Sequence, residues 1–315
     1  MTSRTRKSGT RRLLLTAAAG LIVVALAAAA GVWWITRRTP GESFNSDGVR
    51  IFYSDEGSGP PVVLLHGFAV NSDLNWRLPG ITPRLAREFR VISMDLRGHG
   101  LSGKPRDPAR YGAAMAEDVV RLLDHLGMRK VQLVGYSLGG IVALKLAVTH
   151  PERWRSVVLM GAGWEDPQDS VFLKALDGIA ADLAAGRGVP PLASRLGGKR
   201  EPPGLLHTLE VRTMTRFLND GPALAAMVRG LRGLAVPRKA LRGISVPVCS
   251  IVGTRDPMRP GVDAMRGLVP DLSVVYLEGA DHLSALRRPA LQDALLRCLR
   301  QHAGPGGRGQ ASTSP

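Results

Sequence analysis

The sequence predicts an α/β protein in which a mostly parallel central sheet carries helices on both faces. From Val49 onward, short apolar runs of strand length alternate with segments whose apolar residues recur at helical spacing. Polar, reactive residues directly follow several of these runs, as expected for a site beyond the carboxyl ends of parallel strands. The 315 residues, 44% hydrophobic and 22% charged, suit one large globular domain or two small ones.

The first 38 residues combine a basic segment with a long apolar stretch. Residues 13–35 contain no charge and can cross a bilayer, with Trp33 and Trp34 placed as an interfacial aromatic belt. Five basic residues precede the stretch and two follow it, so the positive-inside rule places the remaining chain outside the cytoplasm. A cleaved signal peptide is the alternative, because residues 10–15 resemble a twin-arginine signal and residues 27–30 offer cleavage sites. Both interpretations predict a membrane-anchored or exported protein.

Residues 36–48 are predicted to be a polar linker, after which the strands and helices begin. Helix 82–89 has Thr82 as its predicted cap and Pro83 in its first turn, and helix 114–126 presents apolar residues on one face. The other helices are expected at residues 141–148 and 290–302. The predicted strands, which are short apolar runs, are residues 49–53, 62–65, 90–94, 131–134, 155–160, 246–252 and 274–277.

The alternation of strands and helices stops between residues 163 and 240. Phe172, Leu173, Leu176, Ile179 and Leu183 recur at helical spacing, which predicts a mainly helical insertion, or cap. The predicted organisation is therefore an N-terminal anchor or signal (1–38), one domain (39–303) that contains this cap, and a low-complexity, disordered tail (304–315).

The formal net charge is +16, and the first 38 residues supply seven of the basic side chains without any acid. No dense basic run is interleaved with aromatic residues, so nucleic acid is not an expected partner, whereas an anionic lipid surface is. The two cysteines, Cys249 and Cys298, lie in apolar runs. Buried free thiols are favoured, and a disulfide stays open because the N-terminus predicts export.

Ser137 lies at a sharp junction between a predicted strand and a predicted helix. The surrounding sequence is Gly-Tyr-Ser-Leu-Gly, and a Cβ at Gly135 or Gly139 would collide with the neighbouring strand or helix. Such a turn exposes the hydroxyl at the carboxyl end of the strand, over the free N–H groups of the helix. Ser137 is therefore a candidate nucleophile.

A serine nucleophile needs a base, and the base needs an acid to orient it. His282 follows the last predicted strand, and Asp256 follows the strand before it, in the chain order serine, acid, histidine. Asp281 is adjacent to His282 and is interpreted as structural, and Asp166 is a rival acid after the strand at 155–160. His99 belongs to a Gly-x-Gly turn and is also interpreted as structural.

Five motifs in order resemble the α/β-hydrolase superfamily over residues 49–300: HGF (66–68), DLRGHGLS (95–102), GYSLGG (135–140), GTRD (253–256) and GADH (279–282). The resemblance implies the α/β-hydrolase fold with a helical cap after its sixth strand, and a Ser137–His282–Asp256 triad. It also implies an oxyanion hole formed by the backbone N–H groups of Phe68 and Leu138.

The resemblance most often implies ester hydrolysis without a metal or cofactor, on a small-molecule ester that can be lipid-like. Hydrolysis of C–C bonds and cofactor-free haloperoxidase or perhydrolase chemistry use the same triad and stay open, as does a non-catalytic binding protein. His66, Gly67, Tyr136 and Trp164 are expected to contact the substrate. Phe172, Leu173, Leu176, Met214, Phe217 and Met227 could join Trp164 in an apolar acyl pocket or could pack the core of the cap.

Overall fold

The computed structural model describes residues 38–189, 192, 209, 213, 215 and 217–303. The chain divides into two compact units, Met1–Pro40 and Gly41–Pro315, and the second unit carries the described strands and helices. The predicted apolar stretch 13–35, with its alternatives of anchor and signal, and the predicted tail 304–315 lie outside the described residues. Within the described residues, no helix is long and apolar enough to span a membrane.

Eight strands form one sheet in the order β1-β2-β4-β3-β5-β6-β7-β8. The strands from β4 to β8 in this order are parallel, whereas β2 is antiparallel to both β1 and β4. The fold class predicted from the sequence is therefore confirmed. The strands are β1 (Glu42–Ser46), β2 (Val49–Glu56), β3 (Pro61–Leu65), β4 (Arg90–Met94), β5 (Val131–Tyr136), β6 (Trp154–Met160), β7 (Val248–Gly253) and β8 (Leu272–Leu277).

Helices connect the parallel strands, together with short 3-10 turns at Pro108–Arg110, Pro151–Arg153 and Leu231–Leu234 and a π-helical turn at Asp73–Arg77. The α-helices in the described residues are α1 (Ile81–Leu85), α2 (Ala113–His125), α3 (Leu138–Thr149), α4 (Ser170–Ala184), α5 (Gly221–Gly230), α6 (Arg238–Leu241), α7 (Arg259–Ala264), α8 (His282–Ala285) and α9 (Pro289–Gln301).

The central strands of the sheet are buried on both faces. Alternate residues of β3 enter different apolar clusters, with Val62 and Leu64 in one and Val63 and Leu65 in the other. A strand buried in this way has a continuous apolar sequence, because its side chains point alternately to the two faces. This burial explains why the predicted parallel strands are uninterrupted apolar runs.

The segment predicted as a linker contains the first strand, so that prediction was wrong for Glu42–Ser46. β1 and β2 form a hairpin around Asp47 and Gly48, both of which have positive φ angles (51° and 75°). Such angles match the two-residue turns that suit the twist of antiparallel strands. The predicted helix at 82–89 also differs, since α1 begins after Gly80, which has left-handed backbone angles, and ends at Leu85.

The segment between β6 and β7 contains the predicted helical insertion. In its described part, α4 and α5 pack against each other and no strand is present. Asp220 caps α5 by accepting a hydrogen bond from the Ala223 N–H, with Pro222 in the first turn, as the sequence suggested. The insertion therefore lies directly after the sixth strand.

Cys249 and Cys298 form a disulfide bond, so the expectation of two free thiols was wrong. Cys249 lies in β7 and Cys298 in α9, which packs on the sheet beside that strand. A strand and a helix far apart in sequence face each other here. The bond closes a segment of the chain that contains both Asp256 and His282.

Candidate active site

Ser137 occupies the turn between β5 and α3 with φ of 53° and ψ of −114°, a conformation that non-glycine residues rarely adopt. Its backbone N–H donates a hydrogen bond to the carbonyl of Met160, 2.8 Å away. A Cβ on Gly135 would lie 2.2 Å from the Gly139 oxygen, and one on Gly139 would lie 2.1 Å from the Leu65 oxygen. The predicted need for glycine at both positions is therefore confirmed.

Asp256 and His282 lie together at the carboxyl ends of β7 and β8. The His282 Nδ1 atom is 3.0 Å from Oδ1 and 2.9 Å from Oδ2 of Asp256. Both side chains are buried, with relative exposures of 3% for Asp256 and 2% for His282. This contact fixes the imidazole with a proton on Nδ1 and leaves Nε2 as the atom that can accept one.

The two other carboxylates considered from the sequence, Asp281 and Asp166, have different partners. Asp281 caps α8, and its Oδ1 accepts hydrogen bonds from the N–H groups of Leu283 and Ser284 at 3.0 and 2.9 Å. Burial acts to raise the pKa of Asp281, but these hydrogen bonds outweigh it and hold the pKa below its usual range. Asp166 is exposed and its Oδ1 accepts from the Gln168 N–H at 2.9 Å, within its own turn.

Gly161, which follows β6, is in contact with the Asp256–His282 pair and was not singled out from the sequence. Its φ is 55°, and a Cβ at this position would lie 3.0 Å from Cε1 and 3.1 Å from Nδ1 of His282. The same Cβ would lie 3.3 Å from Oδ2 of Asp256. Any side chain at position 161 would therefore displace His282 or Asp256 from its present position. A glycine directly after a strand of the site was the signal available in the sequence.

The loop after β3 reaches the nucleophile. A Cβ on Gly67 would be 3.5 Å from the Ser137 Cβ, and the Gly139 N–H donates to the His66 carbonyl at 3.1 Å. Leu138 is the first residue of α3, so its N–H has no acceptor within the helix. In the described part of the chain, neither this N–H nor that of Phe68 donates to a protein acceptor.

Asn75 holds this loop and was missed in the sequence. Its Oδ1 accepts a hydrogen bond from the Gly67 N–H at 3.0 Å, and the side chain is buried. The residue lies in the π-helical turn Asp73–Arg77, which no periodicity in the sequence indicated. The amide side chain thereby fixes the backbone that precedes Phe68.

His66 was expected to contact the substrate, but its ring nitrogens contact the backbone. Nδ1 lies 2.7 Å from the Gly67 carbonyl, and Nε2 accepts the Leu96 N–H at 3.0 Å. The side chain is fully buried, so it joins the loops after β3 and β4 instead of facing an open pocket.

His99 lies beside this ring and is fully buried. Its Nδ1 is 3.2 Å from the Arg97 carbonyl, while Nε2 has no partner among the described residues. Burial, reinforced by the neighbouring His66, lowers the pKa of His99 to about 3. His99 is therefore neutral near pH 7, and its ring packs against Phe68 with centroids 6.1 Å apart.

Tyr136 was also expected to bind substrate, and the structure gives its side chain a different place. The ring is buried and lies 5.1 Å from the His282 ring, between centroids, and the hydroxyl donates to the His282 carbonyl. Burial, and then the carboxylates of Asp256 and Asp281, raise the pKa of Tyr136 well above its usual value. Tyr136 therefore contacts His282 and helps to hold it in position.

Trp164 lines a cavity of about 220 Å³ next to α3, together with Leu173 and Leu176 of α4. We call it the Trp164 cavity. Of the other residues considered for an apolar pocket, Met227 is fully buried in the core and Phe217 is 66% exposed. The Phe172 side chain and Met214 lie outside the described residues.

The described residues contain no group of three or more His, Cys, Asp or Glu side chains that could hold a metal ion. The chemistry that this arrangement can perform is acyl transfer. A serine on a sharp turn, a histidine held by a buried carboxylate, and two backbone N–H groups are its usual components.

Comparison with known proteins identifies the family to which this chain is similar. A family model described as alpha/beta hydrolase fold matches residues 60–289. A curated relative, 2-hydroxymuconate semialdehyde hydrolase from Pseudomonas sp. (strain CF600), is 40% identical over 124 residues, which are 39% of this chain and 43% of the relative. Two further curated relatives are matched over 66% and 33% of their own length. The chain therefore spans less than two thirds of the length of these relatives.

Two solved structures are similar over nearly their whole length. A thermophilic esterase from Thermogutta terrifontis is 26% identical with a TM-score of 0.68, covering 84% of this chain and 100% of the esterase. A structure described as a membrane phospholipase A is 25% identical with a TM-score of 0.69, covering 96% of this chain and 100% of the other.

Proposed function

Because the chain belongs to the α/β-hydrolase family, we propose that it hydrolyses carboxylic esters through an acyl-enzyme on Ser137. The observation that carries this proposal is the buried Asp256–His282 pair, in which Nδ1 of His282 lies 2.9 Å from Oδ2 of Asp256. The pair follows two strands, β7 and β8, of the same sheet in which β5 ends directly before Ser137. These positions supply a nucleophile, a base and an orienting acid.

In the first step, His282 Nε2 takes the proton of Ser137 Oγ as this oxygen attacks the ester carbonyl. Asp256 accepts the hydrogen bond from Nδ1–H and stabilises the imidazolium that forms. The imidazolium then protonates the departing alcohol, which leaves the acyl group on Ser137. A water molecule, deprotonated by His282, releases the acid in the second step.

The oxyanion of each tetrahedral intermediate is proposed to bind the N–H groups of Phe68 and Leu138. Two observations support this assignment: both groups are without a protein acceptor in the described residues, and the Gly67 backbone approaches the Ser137 side chain. One such donor contributes about 10²–10³-fold in kcat in enzymes of this type.

Hydrolysis of a C–C bond at the same three residues is the second candidate. The identity of 40% with a 2-hydroxymuconate semialdehyde hydrolase favours it, although that match covers 39% of this chain. The esterase and phospholipase structures match more than four fifths of this chain, which favours esters, including lipid-like ones. Haloperoxidase or perhydrolase chemistry stays a further alternative.

We also propose that the enzyme acts outside the cytoplasm, tethered by residues 13–35 or released after their cleavage. The uncharged stretch with its basic flank supports this location, and so does the disulfide, since such bonds persist in oxidising compartments. Intact-mass measurement distinguishes the two forms. A mass near 33.7 kDa indicates the retained segment. A loss of about 3 kDa indicates cleavage near residue 30, since 33.7 kDa over 315 residues is about 107 Da per residue.

The decisive test replaces the nucleophile. Ser137→Ala should abolish hydrolysis of p-nitrophenyl esters and labelling by a fluorophosphonate, because both require the serine oxygen. Hydrolysis of esters at the native rate by Ser137→Ala would refute the mechanism. A parallel panel of esters and vinylogous 1,5-diketones separates the ester from the C–C candidate.

A further inference from the structure

The Trp164 cavity lies between α3, α4 and the segment that precedes α6. Its walls are mainly aliphatic and aromatic side chains, contributed by Ile141 and Leu144 of α3, Leu173 and Leu176 of α4, and Trp164. None of Ser137, Asp256 and His282 lines it. An apolar cavity of this kind favours an apolar ligand over water.

Backbone carbonyl groups of two neighbouring segments hold Trp164 in place in the wall of the cavity. The indole N–H donates to the Val236 carbonyl at 2.8 Å, and the backbone N–H of Trp164 donates to the Gly261 carbonyl at 3.0 Å. The guanidinium of Arg238 lies 5.9 Å from the centroid of the ring. Because its N–H is already used, the indole offers a ligand only its apolar surface, in a cavity that is already formed.

Glu165 is the acidic residue in the lining, and it has no partner there. It is half-buried and makes no hydrogen bond or ion pair within the described residues, although the chain has 42 basic and 26 acidic residues. A Cβ on Gly261 would lie 3.0 Å from its Oε1, so this glycine leaves the carboxyl its space. Burial, followed by the charge of Asp169, raises the pKa of Glu165. The guanidinium of Arg232, the basic residue in the lining, lies 3.4 Å from the carboxylate of Asp177.

The size and position of the cavity limit the ligand. At about 30 Å³ for a group of water or methylene size, 220 Å³ holds roughly seven such groups. Ile141 lies in α3, four residues after Ser137, which directly precedes this helix; four residues correspond to an axial rise of roughly 6 Å. An extended aliphatic chain of six to eight carbons is longer than this rise.

We propose that the Trp164 cavity binds an aliphatic chain of six to eight carbons whose far end carries a hydrogen-bond donor, a hydroxyl or an ammonium group, that pairs with Glu165. In the reaction this chain is a part of the substrate, a statement that rests on the proposed ester hydrolysis. The binding itself does not depend on that reaction.

The experiment measures binding to the full-length Ser137→Ala protein, which removes hydrolysis from the readout. Hexylamine, hexanol and hexanoate are titrated by saturation-transfer NMR. We expect the amine and the alcohol to bind at least tenfold more tightly than the acid, because a carboxylate is repelled by Glu165. Adding Glu165→Gln should weaken the amine about tenfold and change hexanol by less than twofold, since glutamine keeps an acceptor but no charge.

A matched pair of variants locates the site. Leu176→Trp fills the cavity and should abolish binding of both probes, whereas Ala175→Trp adds the same side chain on the exposed side of α4 and should leave it intact. Melting temperatures verify that both variants fold. Absence of binding by all probes, or unchanged binding in Leu176→Trp, overturns the proposal. Binding together with no ester hydrolysis by the native enzyme overturns the proposed reaction and leaves the cavity assignment standing.

Discussion

Replacing Gly161 with alanine tests how closely the acid–histidine pair is packed. The new Cβ would lie 3.0 Å from Cε1 of His282, whereas unstrained carbon–carbon contacts relax to about 3.5 Å or more. The imidazole must therefore shift by about half an ångström. Since a misplacement of 1 Å costs about 100-fold in rate, kcat should fall about tenfold while KM changes little.

The same substitution also strains the backbone, so stability needs a matched control. Alanine at a φ of 55° costs about 1–2 kcal/mol, or roughly 2–8 °C in melting temperature for a domain of this size. Gly127 has a φ of 65°, and a Cβ added there would meet nothing within 4 Å, so Gly127→Ala carries this cost without touching the site.

Steady-state hydrolysis of p-nitrophenyl butyrate and thermal melts followed by circular dichroism give the two readouts. Gly161→Ala and Gly127→Ala should melt at similar temperatures and differ in kcat. Native kcat in Gly161→Ala, or an equal loss in Gly127→Ala, would refute the assignment of Gly161 as a residue that positions the pair.

Three other perturbations have defined outcomes. Asp256→Asn should lower kcat about 10³–10⁴-fold with normal folding, because an amide stabilises the wrong imidazole tautomer; a loss of less than tenfold contradicts the triad. Replacing Cys249 and Cys298 together by alanine should lower the free energy of unfolding by about 4 kcal/mol, because the unfolded chain is no longer closed into a loop across a sequence separation of 49. Urea titration measures this free energy. His99 binds a proton when unfolded, with a pKa near 6.5, but not when folded, with a pKa of about 3. Stability should therefore fall by roughly 1 kcal/mol per pH unit from pH 6 to pH 4 through this group. His99→Phe should remove this pH dependence in urea titrations carried out at each pH.

Much of the fold follows from the sequence because the central parallel strands are buried on both faces. β4 coincides with the predicted residues 90–94, and the ends of the other parallel strands differ from the predictions by a few residues. β1 was missed because Glu42–Ser46 is polar and buries only two of its five side chains. The Asp47-Gly48 pair, a typical hairpin turn, was the signal that could have revealed it.

The site was predictable where its residues follow strands of one parallel sheet. That rule brought Asp256 and His282 into consideration, since the carboxyl ends of β7 and β8 meet at one edge. Asn75 lies in a π-helical turn, and the close contacts of Gly161 involve residues from three separate loops. The roles of these two residues therefore could not be predicted from a local sequence pattern. Pairing of the two cysteines likewise depends on how a helix lies across the sheet.

The order of the strands also determines which part of the site opens first. β5, which ends directly before the serine, has neighbouring strands on both sides. β8, which precedes the histidine, pairs in the described sheet with β7 alone and has mostly half-exposed side chains. Edge segments open at lower free energy than central ones. Amide protons of β8 should thus exchange before those of β5, and on gentle heating catalysis should disappear while the central sheet is still intact.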